Sequence, residues 1–219
     1  MKSHQAPARI MIVDDHPIVR EGLTLRISAQ PDLTICGEAA TEEEAVARVA
    51  ELRPDLLIVD ISLECGNGLD VIKRVKAAHP SVKMLVLSGY KESVYGERAL
   101  RAGAMGYVNK QESNGKLLDA IRTILDGKRY VSADFAQRLI SQSLGEAVLG
   151  KTPMDLLTDR ELEIFRMIGD GLRSSAIANQ LFISKHTIDT HRENIKRKLN
   201  LKNAGELTSA AVQWFLENG

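Results

Sequence analysis

The stretch IMIVDDHP, residues 10–17, decides how the first two thirds of the chain are read. Ile10, Met11, Ile12 and Val13 form a short apolar run of the kind that makes a strand. Asp14 and Asp15 end it, and Pro17 suits the first position of a following helix. The same unit recurs down the chain. Strands are predicted over 10–13, 33–37, 56–59, 84–87 and 106–108, with helices over 19–29, 43–52, 69–78, 92–101 and 116–125. The acidic first turn Glu42-Glu43-Glu44 and the breakers Pro54, Pro80 and Gly103 set the boundaries. Strict alternation of strand and helix predicts an α/β doubly wound domain with a five-stranded parallel sheet over residues 1–127.

After Gly127 the pattern loosens. Residues 128–156 read as a linker with one possible helix over 133–144. From 157 to 219 the periodicity is helical throughout, in four segments at 159–169, 174–181, 185–199 and 204–216. A small all-α four-helix domain is expected there.

Composition narrows the function classes. The chain has 219 residues, 44% of them hydrophobic and 4% aromatic, which excludes collagenous, mucin-like and wholly disordered readings. Lys+Arg and Asp+Glu are both 29, so any nucleic acid must be met by a local patch. No apolar run is long enough to span a bilayer and the start carries no cleavable leader, so a cytoplasmic protein without a membrane partner is expected. Cys36 and Cys65 are far apart and read as reduced, packed thiols.

In an open parallel sheet the loops after the strands gather at the carboxyl edge. Asp14 and Asp15 follow the first predicted strand, Asp60 the third, Ser88 the fourth and Lys110 the fifth. Three crowded carboxylates call for a cation, and oxygen ligands of this kind suit Mg²⁺. A hydroxyl and an ammonium beside the ion would hold a transferred phosphoryl group. The expected chemistry is phosphoryl transfer onto a carboxylate.

The stretches IMIVDDH, LLIVDIS, MLVLSGY and GYVNK together resemble the receiver domain of bacterial two-component response regulators, a flavodoxin-like fold, over residues 8–127. The resemblance implies that Asp60 is the phosphoacceptor and that Asp14, Asp15, Asp60 and the backbone carbonyl of Ser62 hold Mg²⁺. It also implies that Ser88, Tyr107 and Lys110 form the phosphate switch, with Tyr107 changing rotamer. No enzymatic activity is expected beyond self-phosphorylation and autodephosphorylation. One departure is clear: the family usually has Met-Pro soon after the acceptor, whereas Leu63-Glu64-Cys65 stands here before Gly66-Asn67-Gly68. A freer loop and altered acyl-phosphate lifetime or partner choice are expected, with Glu64 adding charge near the entrance. Tyr90 is expected to border the phosphoryl group, and Gly96 to soften the fourth helix.

Within the last third, Lys185, Arg192, Lys196, Arg197, Lys198 and Lys202 stand against only Asp189 and Glu193, a positive stripe suited to a phosphate backbone. The stretch LTDRELEIFRMIGDGLRSSAIANQLFISKHTIDTHRENIKRKLNLKN carries a resemblance to a LuxR-type helix-turn-helix over residues 157–217. The resemblance makes 185–199 the recognition helix, with Asp189, Thr190 and Glu193 toward base edges. Lys185, Thr187, Arg192, Lys196, Arg197 and Lys202 are assigned to phosphates. His186 and His191 lack a ligand constellation, and His191 is expected to be packed or hydrogen-bonded to backbone. The last helix is expected to expose an apolar strip with Leu207, Ala211, Val212 and Phe215 or Trp214, a dimer contact in the family being implied at Leu207, Ala211 and Phe215.

Joined in this order the modules resemble the NarL/FixJ response regulators. A histidine kinase, double-stranded promoter DNA, RNA polymerase and a homodimer formed on phosphorylation are the implied partners. Two rivals remain on the residues: a constitutive DNA-binding protein whose receiver only mediates association, and an aspartyl-phosphate phosphatase of the haloacid-dehalogenase type. The latter needs a second acid where Ser62 stands. Rossmann and P-loop glycine motifs are absent.

Overall fold

The sheet order is β2-β1-β3-β4-β5, all parallel. Its strands are β1 (Ala8–Val13), β2 (Leu33–Ala39), β3 (Leu56–Val59), β4 (Lys83–Ser88) and β5 (Gly106–Asn109). Helices α1 (Pro17–Ser28), α2 (Glu42–Leu52), α3 (Gly68–Ala78), α4 (Glu92–Ala102) and α5 (Ser113–Leu125) connect and follow them. This computed structural model describes residues 6–64, 66–144 and 153–218. Cys65 lies outside the described residues, and Cys36 is a half-buried free thiol.

Strand order reverses between β1 and β3, so their carboxyl ends stand side by side. Val13 is in register with Val59, and the Asp60 N–H donates to the Val13 carbonyl at 2.8 Å. On the far side of β3, Val59 faces Val86, and Ser88 faces Asn109. Register alone therefore brings the residues after β1, β3, β4 and β5 to one edge. The sheet is buried on both faces, which explains the nearly continuous apolar strands. Ile10, Ile12, Leu56, Ile58, Leu85 and Leu87 pack with Leu23 and Ile27 of α1 and Leu117, Ile121 and Ile124 of α5. The alternate residues Met11, Val13, Leu57, Val59, Met84 and Val86 are also buried.

The chain divides into two compact units, residues 1–135 and 136–219. Thus the start of the stretch read as linker, 128–135, is part of the first unit. The helix expected there is α6 (Ala133–Ser143). The second unit holds α7 (Asp159–Gly169), α8 (Ser174–Gln180), α9 (Lys185–Leu199) and α10 (Ala204–Asn218). A capping box opens α7: Thr158 Oγ1 accepts from the Glu161 N–H at 3.2 Å, and Glu161 Oε2 accepts from the Thr158 N–H at 2.8 Å. Ser184 caps α9 by accepting from the Thr187 N–H at 3.0 Å. Leu162, Phe165, Ile168, Ile177, Ile188, Ile195, Leu207, Ala211 and Trp214 form the buried interior.

Candidate functional site

Asp14 and Asp60 are almost fully buried at the sheet edge, and Asp15 sits half-buried beside them. The Lys110 ammonium reaches both buried carboxylates, donating to Asp14 Oδ2 at 2.6 Å and to Asp60 Oδ2 at 2.7 Å. The crowded acids are therefore partly neutralised from within the chain. Burial raises the Asp60 carboxyl above its ordinary range, against the pull of Lys110. Burial works to lower Lys110, but the Asp60 and Asp14 carboxylates prevail and hold it above the ordinary lysine value.

Ser88 is fully buried, and its hydroxyl acts on both Asp60 and Tyr107. Tyr107 points inward, only 2% exposed, and its hydroxyl donates to the Tyr90 carbonyl at 2.7 Å. Burial raises the phenol well above its ordinary value, so it remains a donor at neutral pH. Tyr90 stands against Tyr95 with ring centroids 5.2 Å apart.

Two residues of the site escaped the sequence reading. Asn109 Nδ2 donates to the carbonyls of Gly89 at 3.2 Å and Tyr90 at 3.0 Å, tying the loop after β4 to β5. A polar residue between a buried strand and Lys110 was the available signal. His16 Nδ1 lies 2.7 Å from Asp15 Oδ1 and 3.3 Å from Asp14 Oδ1, so the imidazole joins the cluster.

The acidic group of Asp14, Asp15, His16 and Asp60 brings its ligand atoms within 4.8 Å of one another. Asp15 Oδ1 is buried with no well-oriented hydrogen bond. Hard carboxylate oxygens gathered this closely fit a divalent cation.

The loop after Asp60 is tied down at its far end. Asn67 Oδ1 caps α3 by accepting from the Leu69 N–H at 2.8 Å, and the Asn67 N–H donates to Glu42 Oε2 at 3.3 Å. Gly68 is required here, because a Cβ would stand 2.0 Å from the Asp60 carbonyl oxygen. Glu64 is exposed.

On α9, Lys185, Thr187, Asp189, Thr190, Glu193 and Arg197 are exposed, as is Lys202 beyond its end. Arg192 and Lys196 are only half-exposed beside the buried stripe of Ile188 and Ile195. Lys196 pairs with Glu193 at 2.8 Å, and Arg192 lines a cavity with Arg173, Ser174 and Thr208. Lys198 corrects the expected stripe. Its ammonium is held 2.6 Å from the buried Glu161 carboxylate of α7, so it serves the interior of the unit. Of the alternatives for His191, packing holds: its Nδ1 is buried without a hydrogen-bond partner among the described residues.

The strip proposed for dimer contact is also corrected. Leu207 and Ala211 are fully buried, Phe215 is half-buried and Trp214 is 8% exposed. Gly169 lets α7 approach α10 closely enough that a Cβ would stand 2.4 Å from the Ala211 carbonyl, which turns this side of α10 inward. Trp214 meets Phe165 edge-on at 5.9 Å. The apolar side chains that α10 leaves open are Val212 and Leu216.

Residues 10–122 match the family described as response regulator receiver domain, and residues 155–211 that of bacterial regulatory proteins, luxR family. The response regulator GacA of Pseudomonas viridiflava is 33% identical over 94% of this chain and 95% of its own length. The oxygen regulatory protein NreC of Staphylococcus epidermidis is 33% identical over 94% of this chain and 97% of its own. Among solved structures, RcsB from Salmonella enterica serovar Typhimurium, bound to promoter rprA in the presence of phosphomimetic BeF3-, is 25% identical, with a TM-score of 0.68 over 93% of this chain and 98% of that one. A LuxR-family two-component response regulator from Aurantimonas sp. SI85-9A1 is 34% identical, with a TM-score of 0.59 over 64% of this chain and 99% of that one.

Proposed function

Because this chain belongs to the two-component response regulators with a LuxR-type DNA-binding domain, transcription regulators under phosphorylation control, we propose that Asp60 accepts its phosphoryl group from a sensor histidine kinase. The observation that carries the assignment is the Lys110 ammonium bridging Asp14 and Asp60. An Asp60 carboxylate oxygen attacks phosphorus, a P–O bond forms, and the P–N bond to the donor imidazole breaks, its nitrogen keeping the electron pair. Lys110 then pairs with the new dianion, and the Ser88 hydroxyl donates to a phosphoryl oxygen.

Asp14, Asp15, Asp60 and the Ser62 carbonyl would hold Mg²⁺, which supplies charge neutralisation for the phosphoryl oxygens. Buried Asp60, with its ligand oxygen within 4.8 Å of those of Asp14 and Asp15, is consistent with that role. Among the described residues no helix is long and apolar enough to cross a membrane, in keeping with work in the cytoplasm.

The exposed face of α9 is the proposed reader of promoter DNA, with Arg197, Lys185 and Lys202 on phosphates and Asp189, Thr190 and Glu193 at base edges. A phosphorylated homodimer acting with RNA polymerase completes the reading. Treatment with acetyl phosphate and Mg²⁺ should add one phosphoryl mass per chain and strengthen promoter binding, and Asp60→Asn should abolish both. Mass gain that persists in Asp60→Asn refutes the acceptor. Promoter binding indifferent to phosphorylation favours the constitutive alternative.

A further inference from the structure

Two glycines in this unit stand where regular structure disfavours them, and one short segment fills the space of both. Gly96 lies inside α4, where glycine costs about 1 kcal/mol relative to alanine. A Cβ there would stand 2.8 Å from Phe135 Cζ. Gly96 thus has a packing reason beyond the softness expected from sequence. Gly106 opens β5, and a Cβ there would stand 2.5 Å from the Tyr130 carbonyl oxygen. Phe135 is 5% exposed.

The same segment also bridges to the edge of the sheet at Tyr130. The Tyr130 N–H donates to the Met105 carbonyl and the Tyr107 N–H donates to the Tyr130 carbonyl, each at 3.0 Å, in a parallel bridge beside β5. The Ser132 N–H donates to Glu92 Oε1 at 3.1 Å, and Ser132 Oγ accepts from the Phe135 N–H at 3.2 Å. Residues 130–135 are therefore fastened both to the edge strand and to α4.

Tyr107 is the residue common to this segment and the Asp60 site. Its N–H holds Tyr130, and its hydroxyl holds the Tyr90 carbonyl in the loop that follows Ser88. We propose that residues 130–135 are a read-out segment for the state of Asp60: the inward Tyr107, fixed by Tyr90, is the arrangement in which its N–H meets Tyr130. A phosphoryl group that draws Ser88 and steadies the Tyr90 loop then tightens the docking of the segment that leads into the second unit. The device rests on the reading of Asp60 as phosphoacceptor and follows from differential stabilisation of one arrangement.

Site-resolved amide hydrogen exchange on the full chain tests it. Once intact mass confirms phosphorylation by acetyl phosphate and Mg²⁺, exchange at Tyr107 and Tyr130 should slow about tenfold, while α2 amides stay unchanged. Unchanged or faster exchange at Tyr107 and Tyr130 in the phosphorylated protein overturns the proposal. A second arm needs no phosphoryl group. Tyr107→Phe removes the hydroxyl bond to Tyr90, and Phe135→Ala removes the ring on Gly96. Both should speed exchange at Tyr130 several-fold. Unaltered Tyr130 exchange in either variant also overturns the proposal. Absence of phosphoaspartate in the first arm counts against the Asp60 reading, and the second arm then decides the coupling by itself.

Discussion

Lys110 Nζ lies 2.7 Å from Asp60 Oδ2, so the end of β5 supplies the counter-charge for the carboxylate at the end of β3. The same ammonium holds Asp14 at 2.6 Å, which makes it a neutraliser shared by two buried acids. A divalent ion held by these carboxylates would therefore share their negative charge with Lys110.

Lys110→Met should leave Asp14 and Asp60 facing each other without compensation. In Mg²⁺-free buffer the first unit should lose about 3 kcal/mol, as when one partner of a buried pair is removed. Added Mg²⁺ should restore much of this by mass action. Urea unfolding with and without Mg²⁺ measures the effect, and equal losses in both buffers would show that ion and ammonium do not share the carboxylates.

Acid should weaken the second unit through Glu161. Burial acts to raise this carboxyl, but Lys198 and the Thr158 hydrogen bonds prevail and hold it below its ordinary value. A carboxyl depressed on folding contributes stability above its unfolded value, and that contribution fades as pH falls from about 4.5 through the folded value. Thermal unfolding against pH should show this fall, and Glu161→Gln should flatten it while lowering stability at neutral pH.

Arg197 and Lys198 are neighbours with different duties. Arg197→Ala should weaken promoter binding and reduce the slope of log affinity against log salt by about 1. Lys198→Ala should leave the slope intact and lower the unfolding midpoint, because the buried Glu161 loses its partner. Titrations at several salt concentrations, with parallel denaturation, distinguish the two.

On α10, Leu207→Ala should destabilise the unit by about 2–5 kcal/mol, as for a buried leucine. Leu216→Glu changes a side chain that is 78% exposed and should spare stability while weakening self-association of the phosphorylated protein. Sedimentation before and after phosphorylation, beside thermal melts, reads both outcomes. Intact self-association in Leu216→Glu removes this face from the dimer.

Much of the site was legible because polar residues ending apolar runs stand out. Asp14, Asp60, Ser88 and Lys110 each interrupt or follow a strand, and strand ends in a parallel sheet share an edge whatever the exact register. Helical spacing likewise placed α9, and Ser184 announced its start. Asn109 was missed because nothing local says that its amide reaches a loop almost twenty residues earlier.

The sequence by itself determined the alternation of elements, the chemical identity of the strand-end groups and the order of the two modules, since these depend on local period and residue type. Only the tertiary structure decided which charges meet. Lys198 belongs to Glu161, Lys110 is shared by two acids, α10 turns Leu207 inward, and Gly96 and Gly106 make room for Phe135 and Tyr130. Each of these depends on the close approach of residues far apart in the chain, and periodicity carries no record of distance between elements.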